Sequence, residues 1–393
     1  MSSSVKRSVE LDFLRGVVLI IIALDHNLSG LLQHVMLHTY AYCDAAEVFV
    51  FFGGYASASA YLSVASNKGE AAARLRFLKR AFEIYHAYLL TAVLMLACSA
   101  VLTLMPVPYI VAGASWPSFL LHPMRTLFDI ALFRQQPFLS AVLPMYVVFA
   151  LCVPLTVPLA RRSQSTALVI SFVVWLAAPW LGTTMPSASG EGWPFNPFAW
   201  QLMFTFGTLC RLRPIPCDVH ISDRGKQLTS AALAVGLTIA LVRLCGDVHP
   251  TPGYMKQNLS SVRIVSFLSI AWLCAQAVRL GWVRALAERM SCVVTVGRQG
   301  LVCFVGGTIL SISADVSLHV AELNTRHWHT FWPMRLIADG LVIATLLALG
   351  SVASRFKHAR AIALVQQGTN NLPPGMNAPA TQYSDNRGII PPT

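Results

Sequence analysis

Ten apolar runs, at roughly 14–32, 45–66, 81–105, 138–160, 165–182, 198–212, 227–245, 263–281, 292–313 and 333–354, follow one another along the chain with short polar breaks between them. Most reach the roughly 17 residues that a helix needs to cross the hydrocarbon core of a bilayer. In that medium no water is available to backbone N–H and C=O groups, so each run must close its hydrogen bonds within itself, as a helix. The composition agrees: 55% of the residues are hydrophobic, 12% are charged and the mean hydropathy is +0.59. A soluble domain carries about 25% charged residues, so a soluble enzyme and a disordered chain are both excluded. The predicted fold is all-α, a polytopic membrane protein of about ten transmembrane helices.

The net charge of +12 would point to nucleic acid in a soluble protein. Here the basic residues sit in short clusters between apolar runs, as topology signals do, and nucleic acid is not expected as a partner. With the N-terminus in the cytoplasm, alternation puts about 19 basic residues on the inner side, including Lys6, Arg7 and the Lys68–Arg80 cluster, against about six outside. Both termini are therefore expected to be cytoplasmic. The first run resembles a signal peptide in its basic start, but Asp25-His26 and the lack of a small-residue cleavage site make a retained helix, about Leu14 to Leu32, the better reading. Residues 1–360 form the expected membrane domain, and 361–393, rich in Pro, Asn and Gly, an expected disordered cytoplasmic tail. The longer outer loops carry Trp116, Trp193, Trp200, Trp328 and Trp332 at or near them, read mainly as an interfacial belt, with sugar stacking as the functional alternative. Nine cysteines without a CxxC pair read as small buried hydrophobes. His34/His38 and His327/His329 lack further ligands for a metal site, and none is expected.

Ionisable side chains within apolar runs are costly and mark candidate functional sites. Arg15 and His26 are eleven positions apart, about three helical turns, which puts both on one face with roughly 16 Å between them. Asp25 lies about a quarter turn aside, toward a neighbouring helix. Asp44 and Glu47 share a face at the start of the second run. They suit an N-terminal cap, and equally a carboxylate that orients His26 or holds an acceptor hydroxyl. Arg335 and Asp339 have the spacing of an ion pair within the last helix, and Arg243 has no evident local partner.

Several segments resemble the OpgC family, bacterial inner-membrane proteins implicated in succinylating osmoregulated periplasmic glucans. They are Leu11-Asp12-Phe13-Leu14-Arg15-Gly16, Asp25-His26, Asp44-Ala45-Ala46-Glu47-Val48-Phe49-Val50-Phe51 with Gly53-Gly54-Tyr55, and Arg80 with Ile84-Tyr85. Leu143-Pro144-Met145-Tyr146, Asn196-Pro197-Phe198-Ala199-Trp200-Gln201, and Gly297-Arg298 with Leu301 and Phe304 complete the set. The Arg15–His26 spacing is also similar to that of the wider acyltransferase-3 superfamily of membrane acyltransferases. The chain departs from the pattern at Gly53, where Ser is expected, and at His86 and Tyr88, where a His near position 88 is expected.

The resemblance implies an enzyme, an O-acyltransferase that uses cytoplasmic acyl-CoA, with succinyl-CoA the expected donor, as co-substrate and binds no permanent cofactor. The acceptor would be a periplasmic glucan hydroxyl, and other glucan-synthesis proteins would be candidate partners. Arg15 would hold the CoA phosphates, with Arg80 and Arg298 as further donor-binding candidates. The pantetheine arm would run outward along the α-helical face to His26, acting as general base or as a covalent acyl carrier. Asp25, Asp44 and Glu47 would support the imidazole. O-acetylation of another envelope glycan, and a transporter or flippase without chemistry, are the competing readings.

Overall fold

A computed structural model describes residues 8–104, 115–137, 139–188, 190–246, 253–324 and 332–370. Among them every regular element is a helix. The long ones are α1 (Val9–Asp25), α2 (Ala45–Lys68), α3 (Glu70–Leu104), α4 (Val142–Arg162), α5 (Gln164–Thr183), α6 (Pro197–Leu212), α7 (Asp223–Cys245) and α8 (Ser261–Arg279). A short α9 (Ser291–Arg298) precedes α10 (Gly300–Asn324) and α11 (Trp332–Asn370). Eight of these helices are long and apolar enough to cross a membrane. α1, with 17 residues, and α6, with 16, are shorter. They correspond to two more of the expected runs and pack inside the bundle. The chain is a multi-pass membrane protein.

The helix bounds differ from the sequence reading in four places. α1 starts at Val9, capped by the Ser8 hydroxyl, and ends at Asp25, with His26 as its C-cap rather than a mid-helix residue. α3 runs for 35 residues and makes the basic cluster of residues 74–80 helical; Gly69, at φ +85°, turns the chain between α2 and α3. The expected run 292–313 is two helices. α9 crosses α1 in the opposite sense, with Val293 against Gly16 and Gly297 against Asp12, whereas α10 runs alongside α1, with Gly300 near Arg15 and Gly307 near Ala23. The fold-back falls at Gln299, within Gly297-Arg298-Gln299-Gly300, where two glycines flank two polar residues. α11 continues through residues 361–370, because Ala361-Ile362-Ala363-Leu364 are good helix formers. The remainder of the expected tail lies outside the described residues, as do Trp328, His327 and His329.

Two backbone crossings tie the bundle together. α2 packs on α6, and a Cβ at Gly54 would strike the Phe204 carbonyl, while one at Gly207 would strike that of Phe51. α1 packs on α9 in the same way at Gly16 and Gly297. In lipid no hydrophobic force drives helices together, and close backbone contact through small residues replaces it. The main core runs through α1–α6, α8, α10 and α11, around Tyr61, Tyr88, Met145, Trp200, Met203 and Phe267. Trp200 belongs to it, and Trp193 packs edge-on against Phe133; both are buried, and their indole N–H groups donate to the carbonyls of Lys256 (3.0 Å) and Pro186 (2.9 Å). They are therefore neither an interfacial belt nor an exposed sugar platform.

Gly207→Leu is expected to cost about 1–3 kcal/mol by overpacking the α2–α6 crossing. It should lower the thermal midpoint of the detergent-solubilised protein. Gly236→Leu on α7, where nothing lies within 4 Å of the added Cβ, is expected to leave the midpoint near its wild-type value.

Candidate functional site

The bundle has two chemically different ends. At the face from which α1 starts, a cavity of about 720 Å³ opens among α1, α2, α3, α4, α6 and the α9–α10 turn. Five arginines line it, Arg15, Arg76, Arg80, Arg211 and Arg298, together with one carboxylate, Asp12. Asp12 is buried and accepts from Arg298 Nε at 3.2 Å, which fixes the guanidinium at the fold-back turn. Arg80 is half-exposed and pairs with Glu83 at 2.9 Å. The structure thus brings together the three arginines expected to bind donor, Arg15, Arg80 and Arg298, and adds Arg76 and Arg211. Those two lie in basic stretches that the sequence assigned only to topology.

The cavity ends in aromatic side chains. Phe49 stacks on Phe304 at 5.9 Å between ring centroids and meets Tyr146 edge-on at 5.5 Å. The Tyr146 hydroxyl donates to the Phe49 carbonyl at 3.0 Å. A Cβ at Gly53 would come within 2.8 Å of the Tyr146 ring, so the absence of a side chain there lets the ring pack against α2. Tyr88, at the other departure, is buried and donates to the carbonyls of Ile130 (2.9 Å) and Gln135 (3.1 Å). It pins the helix Pro123–Ala131 and the loop that follows it, while His86 bonds back to Phe82 on an exposed face.

His26 does not line this cavity. Between Arg15 and His26 the shared face carries Leu19 and Ile22, both buried in the core. The open path expected along that face is filled by their packing. Along α2 the cavity lining begins at Phe49, five residues from Asp44 and so about 7 Å of helix from the far end.

At that far end, His26 Nδ1 is 2.6 Å from the Ile22 carbonyl oxygen. A carbonyl only accepts, so Nδ1 is the donor and the Nε2 lone pair is left for a proton. The chain after His26 is held by carboxylates from distant helices. Asp339, fully buried, accepts from Asn27 Nδ2 (2.7 Å) and from the backbone N–H groups of Leu31 and Leu32 (2.8 Å each). Asp315 accepts from the Ser29 N–H at 2.7 Å. A side chain at Gly30 would collide with Asp339 and Asn27. Asp339 therefore serves this loop. The Asp25 carboxylate lies 3.3 Å from His38 Nδ1, and Arg243 donates to the His38 carbonyl at 2.7 Å.

Asp44 and Glu47 form a reciprocal capping box. Ala46 N–H donates to Asp44 (2.7 Å) and Asp44 N–H to Glu47 (2.9 Å). Their remaining oxygens meet two cations: Arg263 Nε reaches Glu47 at 2.5 Å, Arg263 Nη2 reaches Asp44 at 3.1 Å, and Lys256 Nζ reaches Asp44 at 2.7 Å. The hydrogen bonds of both carboxylates go to these cations and to the cap, not to the imidazole, so the expected role of orienting His26 falls to Ile22. Arg263 and Lys256 were not singled out in the sequence; a basic residue opening an apolar run, with another seven positions before it, was the available signal.

Removing one partner from a buried pair leaves an uncompensated charge, at about 3–5 kcal/mol. Arg263→Leu is expected to destabilise the protein by that amount, and Glu47→Leu with Arg263→Leu by less than the sum of the two single changes. Thermal midpoints of the four proteins in one detergent measure this coupling.

The family model described as OpgC protein matches residues 7–358. No curated protein and no solved structure matches the chain.

Proposed function

The chain belongs to the OpgC family, and from that premise we propose that it is an inner-membrane acyltransferase that succinylates osmoregulated periplasmic glucans from cytoplasmic succinyl-CoA. The observation that carries this reading is the convergence of five arginines on one cavity at the face where α1 starts, with His26 eleven residues further along the same helix. A guanidinium binds phosphate through two parallel N–H···O bonds, and a donor with several phosphates matches a wall in which arginines outnumber carboxylates. The face with the arginines is then cytoplasmic, and the face with His26 periplasmic, in keeping with the basic residues of the loops. The spacing of Arg15 and His26 supports placement with the acyltransferase-3 superfamily.

In this reading the acceptor hydroxyl gives its proton to His26 Nε2 as its oxygen attacks the thioester carbonyl carbon. The C–S bond breaks, and the CoA thiolate takes up the proton that the imidazolium carries. The Nδ1–H bond to Ile22 keeps the ring in the tautomer that serves as base. Asp44 and Glu47, neutralised by Lys256 and Arg263, add little net charge beside it. The acyl group reaches His26 only when the Phe49–Tyr146–Phe304 group and the Leu19–Ile22 packing part, so passage of the donor arm is a gated step.

Mass spectrometry of periplasmic glucans from a deletion strain complemented with the wild-type chain is expected to show the succinyl mass. Complementation with His26→Ala at equal protein level should abolish it. Glucans that are unchanged in the deletion strain would sink the substrate assignment, and an acetyl rather than succinyl mass would reassign the donor. Arg15→Lys keeps the charge but loses the fork geometry, and is expected to raise KM for the acyl donor about tenfold.

A further inference from the structure

A second, smaller cavity of about 300 Å³ lies against the arginine-lined one and shares two wall residues with it, Ser63 and Arg211. It forms where α2, α4 and α6 end and α3 begins. Its charged wall is Arg161, Arg211 and Glu70. The Glu70 carboxylate is spent within that wall: one oxygen accepts from the Tyr61 hydroxyl at 2.5 Å, the other from Arg161 Nη1 at 3.0 Å. Arg211 is held by its Nε, which donates to the Ser59 hydroxyl at 2.6 Å. Each guanidinium is therefore oriented by one nitrogen, and each carries five N–H donors in all. Both side chains are thus anchored beside a cavity whose one carboxylate already accepts from Tyr61 and Arg161, with Ser63 and Ser66 in the same wall and the Ser66 hydroxyl donating to the Ser63 carbonyl at 3.1 Å. That donor set suits a phosphate monoester dianion.

We propose that this smaller cavity binds the phosphate monoester at the nucleotide end of the acyl donor, the 3′-phosphate of coenzyme A, while the diphosphate, pantetheine and acyl parts occupy the larger, arginine-lined cavity. The inference rests on the acyl-CoA reading above. Its geometry follows from α2. Phe49, at the His26 end of the larger cavity, and Ser63, at the junction of the two, are fourteen residues apart, about 21 Å of helix. A donor with its thioester at Phe49 thus has its opposite end at Arg211 and Arg161. A lipid headgroup at the membrane face offers the same phosphate chemistry, and the experiment distinguishes the two sources.

The full-length protein in nanodiscs is assayed for succinyl transfer to glucan from succinyl-CoA and from succinyl-3′-dephospho-CoA. The wild type is expected to show a KM about tenfold or more higher for the dephospho donor. Arg161→Gln and Arg211→Gln should each bring the ratio of the two KM values toward one, and Arg161→Lys should retain part of it. The ratio is internal to each preparation, so partial unfolding of a variant does not move it. Equal KM values in the wild type, or a ratio that survives both substitutions, overturn the inference and leave the acyl-CoA reading standing. Turnover of neither donor removes that reading and the inference with it. A wild-type ratio near one, with a rate that depends on phosphatidic acid in the nanodisc and loses that dependence in Arg161→Gln, would assign the cavity to a lipid phosphate and also overturn the inference.

Discussion

The carboxylate of Asp339 holds the chain that follows His26. When α1 ends, backbone donors beyond it leave the helical ladder and must find partners in a region with little water. Asp339 on α11 takes two backbone N–H groups and the Asn27 amide, and Asp315 on α10 takes a third N–H. The position of His26 depends on this arrangement twice over. Its own ring is fixed by the Ile22 carbonyl inside α1, and the exit of the chain from α1 is fixed by helices more than 280 residues away in sequence. Gly30 is required because the carboxylate occupies the space a side chain would need.

From that anchored end the two faces diverge in chemistry. The far face joins two carboxylates and two cations into a nearly neutral, mostly buried cluster beside His26. Such a cluster contributes little net stability, because desolvation offsets most of the Coulomb attraction, but it is costly to break on one side only. The starting face concentrates positive charge around a cavity, where guanidinium groups stay partly hydrated and open to an anion. The aromatic group of Phe49, Tyr146 and Phe304 separates the two. The molecule thus carries a cation-rich cavity at one end, an imidazole with its Nδ1–H fixed at the other, and a packed aromatic partition between them.

Much of the fold was legible because lipid leaves a chain few options. Apolar runs of sufficient length must be helices, and nearly every expected run is one. The Asp44-x-x-Glu47 cap was legible for the same local reason, since its hydrogen bonds close within four residues. The fold-back at Gln299 was less so: hydropathy reports how apolar a segment is, and α9 and α10 are both apolar, so a turn between them leaves no trace in the average. The Gly297-Arg298-Gln299-Gly300 break was the one local sign of it. Trp193 and Trp200 misled in a similar way. Composition near a loop cannot tell an interfacial indole from one whose N–H has a buried carbonyl to bond.

The sequence by itself determined the helical class, the approximate spans, the charge asymmetry and the placement of Arg15 and His26 on one face, because each follows from helix periodicity or from the cost of charge in lipid. Tertiary structure alone decided the partners. Arg263 meets Glu47 across 216 positions, and Asp339 meets Asn27 across 312. Five arginines from three helices and the fold-back turn face one cavity, and Leu19 and Ile22 fill the face between the two expected site residues. Those outcomes depend on which helices touch and at what depth, set by the glycine crossings at Gly16, Gly54, Gly207 and Gly297, and local sequence carries no record of what a close backbone contact will find on its other side.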